Sequence, residues 1–390
     1  MNIAYILNTT IPNNGATKAF LNILGGVMQH GINPYVIVPD SNGIVPRLRE
    51  RNIPTLVLNY RDAAYPRRKL LKDYLLFFPK LTGRIIVNHK SAKVLTTWLR
   101  ENKIDIVHTN SSVVRIGFDA AQKNGIPHVY HIREYADQLG YHYFPTQKSF
   151  GKQLKSPCSY SICITKDIQR YNHQHDLSTS RVIYDGVFDA SESMPQNANR
   201  HFFLYMGRIQ YAKGLDLLLE AYRHYVETAA APLPLKVAGG ITDSVYYQQQ
   251  KQAITKYGLD DKVHFLGECD DVVSILKGAK ALIIPSRTEG FGFCMPEAMQ
   301  QGCLCIAHNT GGTKEQLDNA LQMTGKDIAL RWDTTDELTS LLTEAASLSA
   351  EKYQSLTELA FKVVNQLYTT NNNVQQIINF YHFILNETHH

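Results

Sequence analysis

Two acids, Glu289 and Glu297, stand eight positions apart in the run SRTEGFGFCMPEAM (286–299), with Gly290, Gly292 and Pro296 between them. On one unbroken helix that spacing would bring both to about the same face. The glycines weaken such a helix, and Pro296 cannot donate the hydrogen bond that a helix interior requires. Pro296 suits the first helical position instead, with Glu297 just after it and Gly302 ending the helix. Glu289 then sits on a glycine loop behind the apolar run ALIIP (281–285). Strand, glycine loop and helix N-terminus, in that order, make the place where open α/β sheets bind ligands. Glycines let backbone N–H groups approach a phosphate, and the helix terminus favours negative charge. Carboxylates would repel a phosphate. Their fitting partner is a vicinal diol, whose hydroxyls donate to them. Phosphate plus diols describes a nucleotide sugar. Taken alone, Glu297 is more commonly an acid that merely favours a helix dipole.

A second cluster strengthens the case. The run YMGRIQYAKGLDLLLEAY (205–222) sets Arg208 and Lys213 between Gly207 and Gly214, after an apolar run and before a helical one. A guanidinium offers paired donors and an ammonium a point charge, both suited to a diphosphate. By themselves the two cations would more often be a solvated surface pair. When a glycosyl–phosphate bond breaks, negative charge develops on the departing diphosphate, and fixed cations there can replace a metal ion. The chain has no D-x-D motif, so neither a metal nor a cofactor is expected.

These loops need a frame. The runs IAYIL (3–7), PYVIV (34–38), TLVL (55–58), IDIVHT (104–109) and HVYHI (128–132) predict strands. So do YSICIT (160–165), RVIYD (181–185), FFLYMG (202–207), LKVAG (235–239), VHFLG (263–267) and ALIIP. Nearly continuous Val/Ile/Leu runs that alternate with helical stretches predict parallel sheets covered on both faces. Two such sets imply two doubly wound, Rossmann-like domains, in keeping with the 390-residue length. The stretch FDASESMPQNANR (188–200) predicts the link. The expected division is a first domain over 1–188, a linker over 189–200, a second domain over 201–368 and a helical end over 369–390. Either domain could receive that last helix. The expectation is that it packs back on the first.

Composition narrows the class. Hydrophobic residues at 44% and charged ones at 19% fit a soluble globular protein. A net charge of +5 with no basic repeat gives no ground for a nucleic-acid partner. The six cysteines form no CxxC pair, and all fall in runs expected to be buried, which suggests a reducing compartment such as the cytoplasm. The start MNIAYILNTT reads as a first core strand rather than a signal peptide. His389-His390 carries no weight, being the kind of stub a purification tag leaves.

Gly207-Arg208 to Lys213-Gly214 and Glu289 to Glu297 resemble the GR-x4-KG and E-x7-E elements of the retaining nucleotide-sugar glycosyltransferases of family 4 (glycosyl transferases group 1). GLDDKVHFLGECDDVVSILKGAKALIIPS (258–286) and GGTKE (311–315) are similar to that family too, so the resemblance spans nearly the whole second domain. In the first domain IDIVHTNSS, HVYHIREY, SICITKDIQRY and RVIYDGVF look like family strands and loops. The resemblance departs at Asn14-Gly15-Ala16, where the family has a Gly-Gly loop, and at AGGIT (238–242), which lacks the usual spaced glycines.

The resemblance implies a GT-B architecture, two Rossmann-like domains facing across a cleft. It implies a metal-independent hexosyl transfer from a UDP- or GDP-sugar to a glycan or lipid-linked acceptor, in cell-surface polysaccharide or glycoconjugate synthesis. Arg208 and Lys213 would neutralise the diphosphate and Glu297 would hold the ribose. Glu289 would bind the donor sugar, with Gly290, Phe291 and Gly292 beside it. Asn14, Gly15, Ala16, Gly207 and Gly267 would complete the donor site. His131 would stand near the reacting carbon, although a histidine at a strand end is as often structural. Arg133 and Glu134 would meet the acceptor. Epimerases of the same architecture lack this pair of motifs, and phosphorylases need a pyridoxal-phosphate lysine and a far longer chain. A non-catalytic sugar-nucleotide module stays open. A nicotinamide dehydrogenase does not fit, because no G-x-G-x-x-G follows the first strand.

One further segment is unusual. YPRRKLLKDYLLFFPKLTGR (65–84) carries Arg67, Arg68, Lys69, Lys72, Lys80 and Arg84 against a single acid, Asp73. Leu70, Leu71, Tyr74, Leu75, Leu76, Phe77 and Phe78 are interleaved with them. That composition fits an interfacial helix on an anionic membrane, peripheral on the inner face of the cytoplasmic membrane. It fits equally an amphipathic helix that fills the first domain's core and leaves a basic side in water.

Overall fold

The structure, a computed structural model, describes residues 1–12, 14–66, 68, 71–135, 137, 141–195 and 199–388. Arg67, Lys69 and Leu70 of the basic segment and the terminal His389-His390 lie outside the described residues. The chain divides into two compact units, Met1–Gly186 with the end from Thr370, and Val187–Thr369.

The first unit holds β1 (Asn2–Ile6), β2 (Asn33–Val38), β3 (Thr55–Val57), β4 (Ala64–Pro66), β5 (Ile106–Thr109), β6 (His128–Ile132), β7 (Tyr141–Tyr143), β8 (Ser159–Cys163) and β9 (Ser180–Val182). Seven of them form a parallel sheet in the order β3-β2-β1-β5-β6-β8-β9. Every residue of β5, β6 and β8 is buried, as expected for strands covered on both faces. β4 and β7 pair separately as an antiparallel ribbon. The helix Thr370–Thr388 belongs to this unit. Its Val374, Ile377, Phe380, Tyr381 and Ile384 lie in one core with Ile3, Phe20 and Ile162. Each side chain of that size contributes roughly 1.5–3 kcal/mol when fully buried.

The second unit holds β10 (Phe202–Met206), β11 (Leu235–Ala238), β12 (Val263–Gly267), β13 (Ala279–Ile284), β14 (Leu304–His308) and β15 (Leu330–Trp332). All run parallel in the order β12-β11-β10-β13-β14-β15. Strand order reverses between β10 and β13, so the loops after these two strands flank a topological switch point. In the first unit the corresponding reversal lies between β1 and β5.

Several elements differ from expectation. β4, β7, β14 and β15 are additional strands; three of the four have only three residues, too short to show periodicity. In the segment 189–200 the described residues Asp189, Ser191 and Arg200 are tied to the second unit. Ser191 N donates to Asn365 Oδ1 (2.9 Å), Gln300 Nε2 to the Asp189 carbonyl (3.1 Å) and Arg200 Nη1 to that of Ala279 (2.8 Å). The segment 65–84 is not one helix. It passes from β4 into a short helix, Leu71–Leu75, and then a long one, Phe77–Glu101. Of the six cysteines, Cys158 is exposed rather than buried.

Candidate active site

At the switch point of the second unit, the loop after β10 carries Gly207, Arg208 and a single 3-10 turn, Tyr211–Lys213. Gly214 ends that turn with φ +68°, and a Cβ there would lie 1.9 Å from the Pro285 carbonyl oxygen. Only glycine allows this approach, which lays the Lys213 turn against the end of β13. The loop after β13 brings Glu289 to meet it, with Lys213 Nζ donating to Glu289 Oε2 at 2.6 Å. Glu289 is buried, Lys213 half-buried and Arg208 exposed. Among the described residues the Arg208 guanidinium makes no hydrogen bond, while its carbonyl accepts from the Tyr205 hydroxyl (3.0 Å). A cation open to solvent stands beside a paired one, with a carboxylate behind.

The Glu289–Phe291 stretch is fixed from the back by the helix Gly311–Thr324. Gly312 N donates to the Glu289 carbonyl (2.7 Å), and Gln316 Nε2 donates to that of Phe291. The next helix is Cys294–Gln300, two residues earlier than expected. Pro296 therefore takes the third helical position, where a missing N–H still costs nothing because no intrahelical acceptor awaits it. Glu297 is half-buried in the first turn.

A second pair locks the two loops together. Arg287 donates to both carboxylate oxygens of Asp216, Nη1 to Oδ1 at 2.8 Å and Nη2 to Oδ2 at 2.7 Å. It also donates from its backbone to the Ala212 carbonyl (2.9 Å) and lies 4.0 Å over the Tyr211 ring. The Tyr246 hydroxyl donates to Asp216 Oδ1 (2.6 Å). Burial works against the Asp216 charge, but these hydrogen bonds outweigh it and hold the carboxyl below its usual range. AGGIT has a structural part here as well. Gly239 adopts φ +143°, and a Cβ there would lie 2.0 Å from the Gly207 carbonyl oxygen, so this loop packs under the one that carries Arg208.

The first unit gathers its predicted residues differently. Asn14 caps the helix Gly15–Gln29 by accepting from Ala16 N (3.0 Å), and the Ala16 carbonyl accepts from Asn110 Nδ2 (2.8 Å). Asn110 Oδ1 accepts in turn from Arg133 Nε and Nη2 (3.3 and 3.2 Å). Arg133, only 8% exposed, also pairs with buried Asp185 through Nη1. Glu134 Oε1 accepts from Ser111 Oγ, Ser112 N and Ser112 Oγ at 2.6, 2.9 and 2.7 Å. His131 was expected near a reacting carbon, yet it is fully buried. Its Nδ1 lies 3.2 Å from Arg133 Nη2 and 3.1 Å from His108 Nε2. A guanidinium can only donate, so His131 Nδ1 accepts and its proton resides on Nε2, which faces Asp185 Oδ1 at 4.0 Å. His108 then donates from Nε2, and its Nδ1 accepts from the Tyr381 hydroxyl (2.5 Å) of the last helix. Burial pushes the His108 imidazole down to about 3, with Arg133 adding to the effect, and holds His131 well below its usual value.

Of the predicted residues, the structure brings Gly207, Arg208, Lys213, Glu289, Gly290, Phe291, Gly292 and Glu297 to one switch point in the second unit. Gly267 ends β12, with its carbonyl accepting from Gly239 N (2.7 Å). Asn14, Gly15, Ala16, His131, Arg133 and Glu134 gather in the first unit, where Asn110 joins Ala16 to Arg133 and Arg133 in turn reaches His131 and, from its backbone N–H, Glu134. Arg287, Asp216, Asn110, Asp185 and Tyr381 were missed. Their partners lie far along the chain, so only the strand order could have revealed them.

Two families match the chain. The one described as "Glycosyl transferases group 1" matches residues 188–360, and the one described as "Glycosyltransferase Family 4" matches residues 13–190. The lipopolysaccharide core biosynthesis mannosyltransferase LpsB of Rhizobium meliloti is 27% identical over 189 residues, 46% of this chain and 50% of that one. The UDP-Gal:alpha-D-GlcNAc-diphosphoundecaprenol alpha-1,3-galactosyltransferase of Escherichia coli is 27% identical over 281 residues, 62% of this chain and 69% of that one. The chain spans 50% and 58% of the first two curated relatives it matches, about half their length. Among solved structures, Anabaena Alr3699/HepE in complex with UDP superposes with a TM-score of 0.76 at 18% identity, covering 97% of this chain and 99% of that one. A glycosyltransferase from Rickettsia africae gives a TM-score of 0.78 at 18% identity, covering 98% of each chain. At these identities the likeness shows the fold, which is GT-B.

Proposed function

Because the chain belongs to the family 4 glycosyltransferases of group 1, we propose that it transfers a hexose, with retention of configuration, from a nucleoside diphosphate sugar to a glycan or lipid-linked acceptor. The observation that carries this is the meeting of Lys213 with Glu289 at 2.6 Å, beside exposed Arg208, at the second unit's switch point. Cations suit the diphosphate and the carboxylate suits sugar hydroxyls, so one loop pair addresses both halves of such a donor. Arg208 and Lys213 neutralise the leaving diphosphate. Glu289 holds the sugar and Glu297 the ribose.

The glycosyl carbon–oxygen bond to the diphosphate breaks as the acceptor hydroxyl attacks from the same face, and the leaving phosphate oxygen takes up the acceptor's proton. Fixed cations are in place before charge develops, so no reorganisation is needed at that moment. In the first unit, His131 is a positioning residue that orients Arg133 and Asp185, while Arg133 and Glu134 shape the acceptor loop. The relatives' names, a lipopolysaccharide core mannosyltransferase and a galactosyltransferase for a diphosphoundecaprenol-linked sugar, support an acceptor in cell-surface glycan assembly.

A panel of UDP- and GDP-sugars, scored for nucleotide release with and without lipid-linked and soluble glycan acceptors, tests this. One donor should give acceptor-dependent release that survives EDTA, because cationic side chains do the work of an ion. Tight binding of a donor with no release under any acceptor would favour a non-catalytic module. Activity lost in EDTA and restored by magnesium would overturn the metal-independent mechanism.

A further inference from the structure

The short helix Leu71–Leu75 buries none of its residues, and the buried positions of Phe77–Glu101 begin only at Ser91. The apolar residues ahead of Ser91 therefore do not fill the first unit's core, which this helical segment enters only through Ala92, Leu95 and Leu99. Leu71 is 76% exposed, Leu75 70%, Leu76 47% and Phe78 71%, with Ile85 at 46% and Ile86 at 49% further along. Leu71 and Leu75 are one turn apart. Phe78, Ile85 and Ile86 recur at seven and eight positions, which places them on one helix face. Exposed apolar residues of the second unit, such as Val245 and Leu321, are scattered along the chain by comparison. Single ones need no explanation; a contiguous group marks an interaction surface.

The charge around the group says what would cover it. From residue 71 to 100 the chain carries Lys72, Lys80, Arg84, Lys90, Lys93 and Arg100 against one acid, Asp73. Lys72, Lys80, Lys90 and Lys93 are exposed. Arg84 turns inward, donating to the Ala64 carbonyl (3.1 Å) and covering the Tyr65 ring at 4.3 Å, so it fastens the long helix to the β4–β7 ribbon. Phe77 also packs on Tyr65 and is only half-exposed. A second copy of this chain related by two-fold symmetry would set the basic surface against itself. An anionic bilayer accepts both features, apolar side chains among the acyl chains and ammonium groups at the headgroups. No helix among the described residues is long and apolar enough to cross a membrane.

We propose that this helical segment, from Leu71 to Lys93, is an interfacial docking surface for an anionic lipid bilayer. It stands independently of the transfer reaction, since it is measured without donor or acceptor. The full chain is sedimented with phosphatidylcholine vesicles, with and without phosphatidylglycerol. Wild type binds the anionic vesicles at low salt and releases as salt screens the cations. The variant Leu75→Ser/Phe78→Ser lowers the partition coefficient on the order of 100-fold, from the apolar area no longer inserted. The variant Lys72→Ser/Lys80→Ser lowers it about 30-fold and flattens the salt dependence. All four side chains are exposed, so circular dichroism and melting temperature stay at wild-type values. Three results would each overturn the proposal: wild type staying in the supernatant with anionic vesicles at low salt, the Leu75/Phe78 variant binding as tightly as wild type, or a wild-type dimer that this variant dissociates while vesicle binding is unchanged.

Discussion

The loops at the ends of the two sheets treat charge in opposite ways. In the first unit Arg133 is 8% exposed and its donors go to Asp185, Asn110 and His131, while Glu134 accepts from two serines. Its charges are satisfied from within. In the second unit Arg208 reaches solvent, and Lys213 has a single carboxylate partner beside it. Internal pairing specifies one loop geometry, and charge left facing outward is available to a ligand. The first arrangement should matter mainly to stability and the second mainly to turnover.

The largest expected effect tests the first half of that contrast. Arg133→Met leaves Asp185 charged and buried without its cation, which costs about 3–5 kcal/mol in comparable buried pairs. Replacing both, as Arg133→Met/Asp185→Leu, removes the stranded charge and should recover most of the loss in chemical denaturation. If the single variant is as stable as wild type, Asp185 is not held as an anion and the contrast collapses.

Next come Arg208→Ala and Lys213→Ala. Arg208→Ala should unfold like wild type, whereas Lys213→Ala also leaves buried Glu289 without its cation and should lose some stability. Each should lose about 2–4 kcal/mol of transition-state stabilisation, roughly 30- to 1000-fold in kcat/KM. Lys213→Ala should be the more severe, since it also removes the partner of Glu289. Turnover near wild type in either variant would remove that residue from the diphosphate site.

Acid should separate the units too. Burial pushes His108 and His128 down to about 3 and His131 well below its usual value, so the folded state keeps them neutral. Unfolded histidine gains a proton below roughly pH 6.5, so their contribution is complete above that pH and is lost as pH falls toward 3. Asp62, which burial raises to about 6, has the opposite sign, and its stabilising contribution fades as pH rises through about 6. In the second unit the Asp216 carboxyl is held low, so its contribution is lost only below the usual carboxylate range of roughly pH 4. Trp98 lies in the first unit and Trp332 in the second, and they are the chain's two tryptophans. Single-tryptophan variants can therefore report each unit's unfolding. The first unit should weaken from about pH 6.5 downward while the second holds. His108→Gln should remove roughly 1.4 kcal/mol of that loss at about pH 5.5. Parallel weakening of both units would break the comparison.

What was legible in the sequence follows the same division. Arg208 with Lys213 and Glu289 with Glu297 are readable because each pair is local and its residue types have few other uses on a glycine loop. Fully buried strands announce themselves as apolar runs, and the three-residue β4, β7 and β15 do not. The burial of His131 was hidden, because it depends on His108 from another strand and Tyr381 from the last helix, 273 positions from His108. The basic helical segment was legible in composition but not in burial. Spacing alone could not show that its apolar residues face water while Arg84 turns inward.

The smallest effect expected concerns the joint between the two loops of the second unit. Arg287 and Asp216 are 71 positions apart, and only the adjacency of β10 and β13 brings them together. The guanidinium spans both Asp216 oxygens, the Tyr211 carbonyl (2.9 Å) and the Tyr211 ring. Arg287→Lys keeps the charge but loses the fork and the flat stacking face. The pair is partly open to water, so charge alone contributes little and the loss should be about 1 kcal/mol, from geometry. The Lys213 turn would then be held less firmly, while Lys213 itself is untouched. Stability should fall slightly. The kcat/KM should drop several-fold, more through kcat than KM if the turn matters chiefly to the leaving group. A variant with wild-type kcat and an unchanged melting temperature would mean that Gly214 and the β13 backbone position this turn without Arg287.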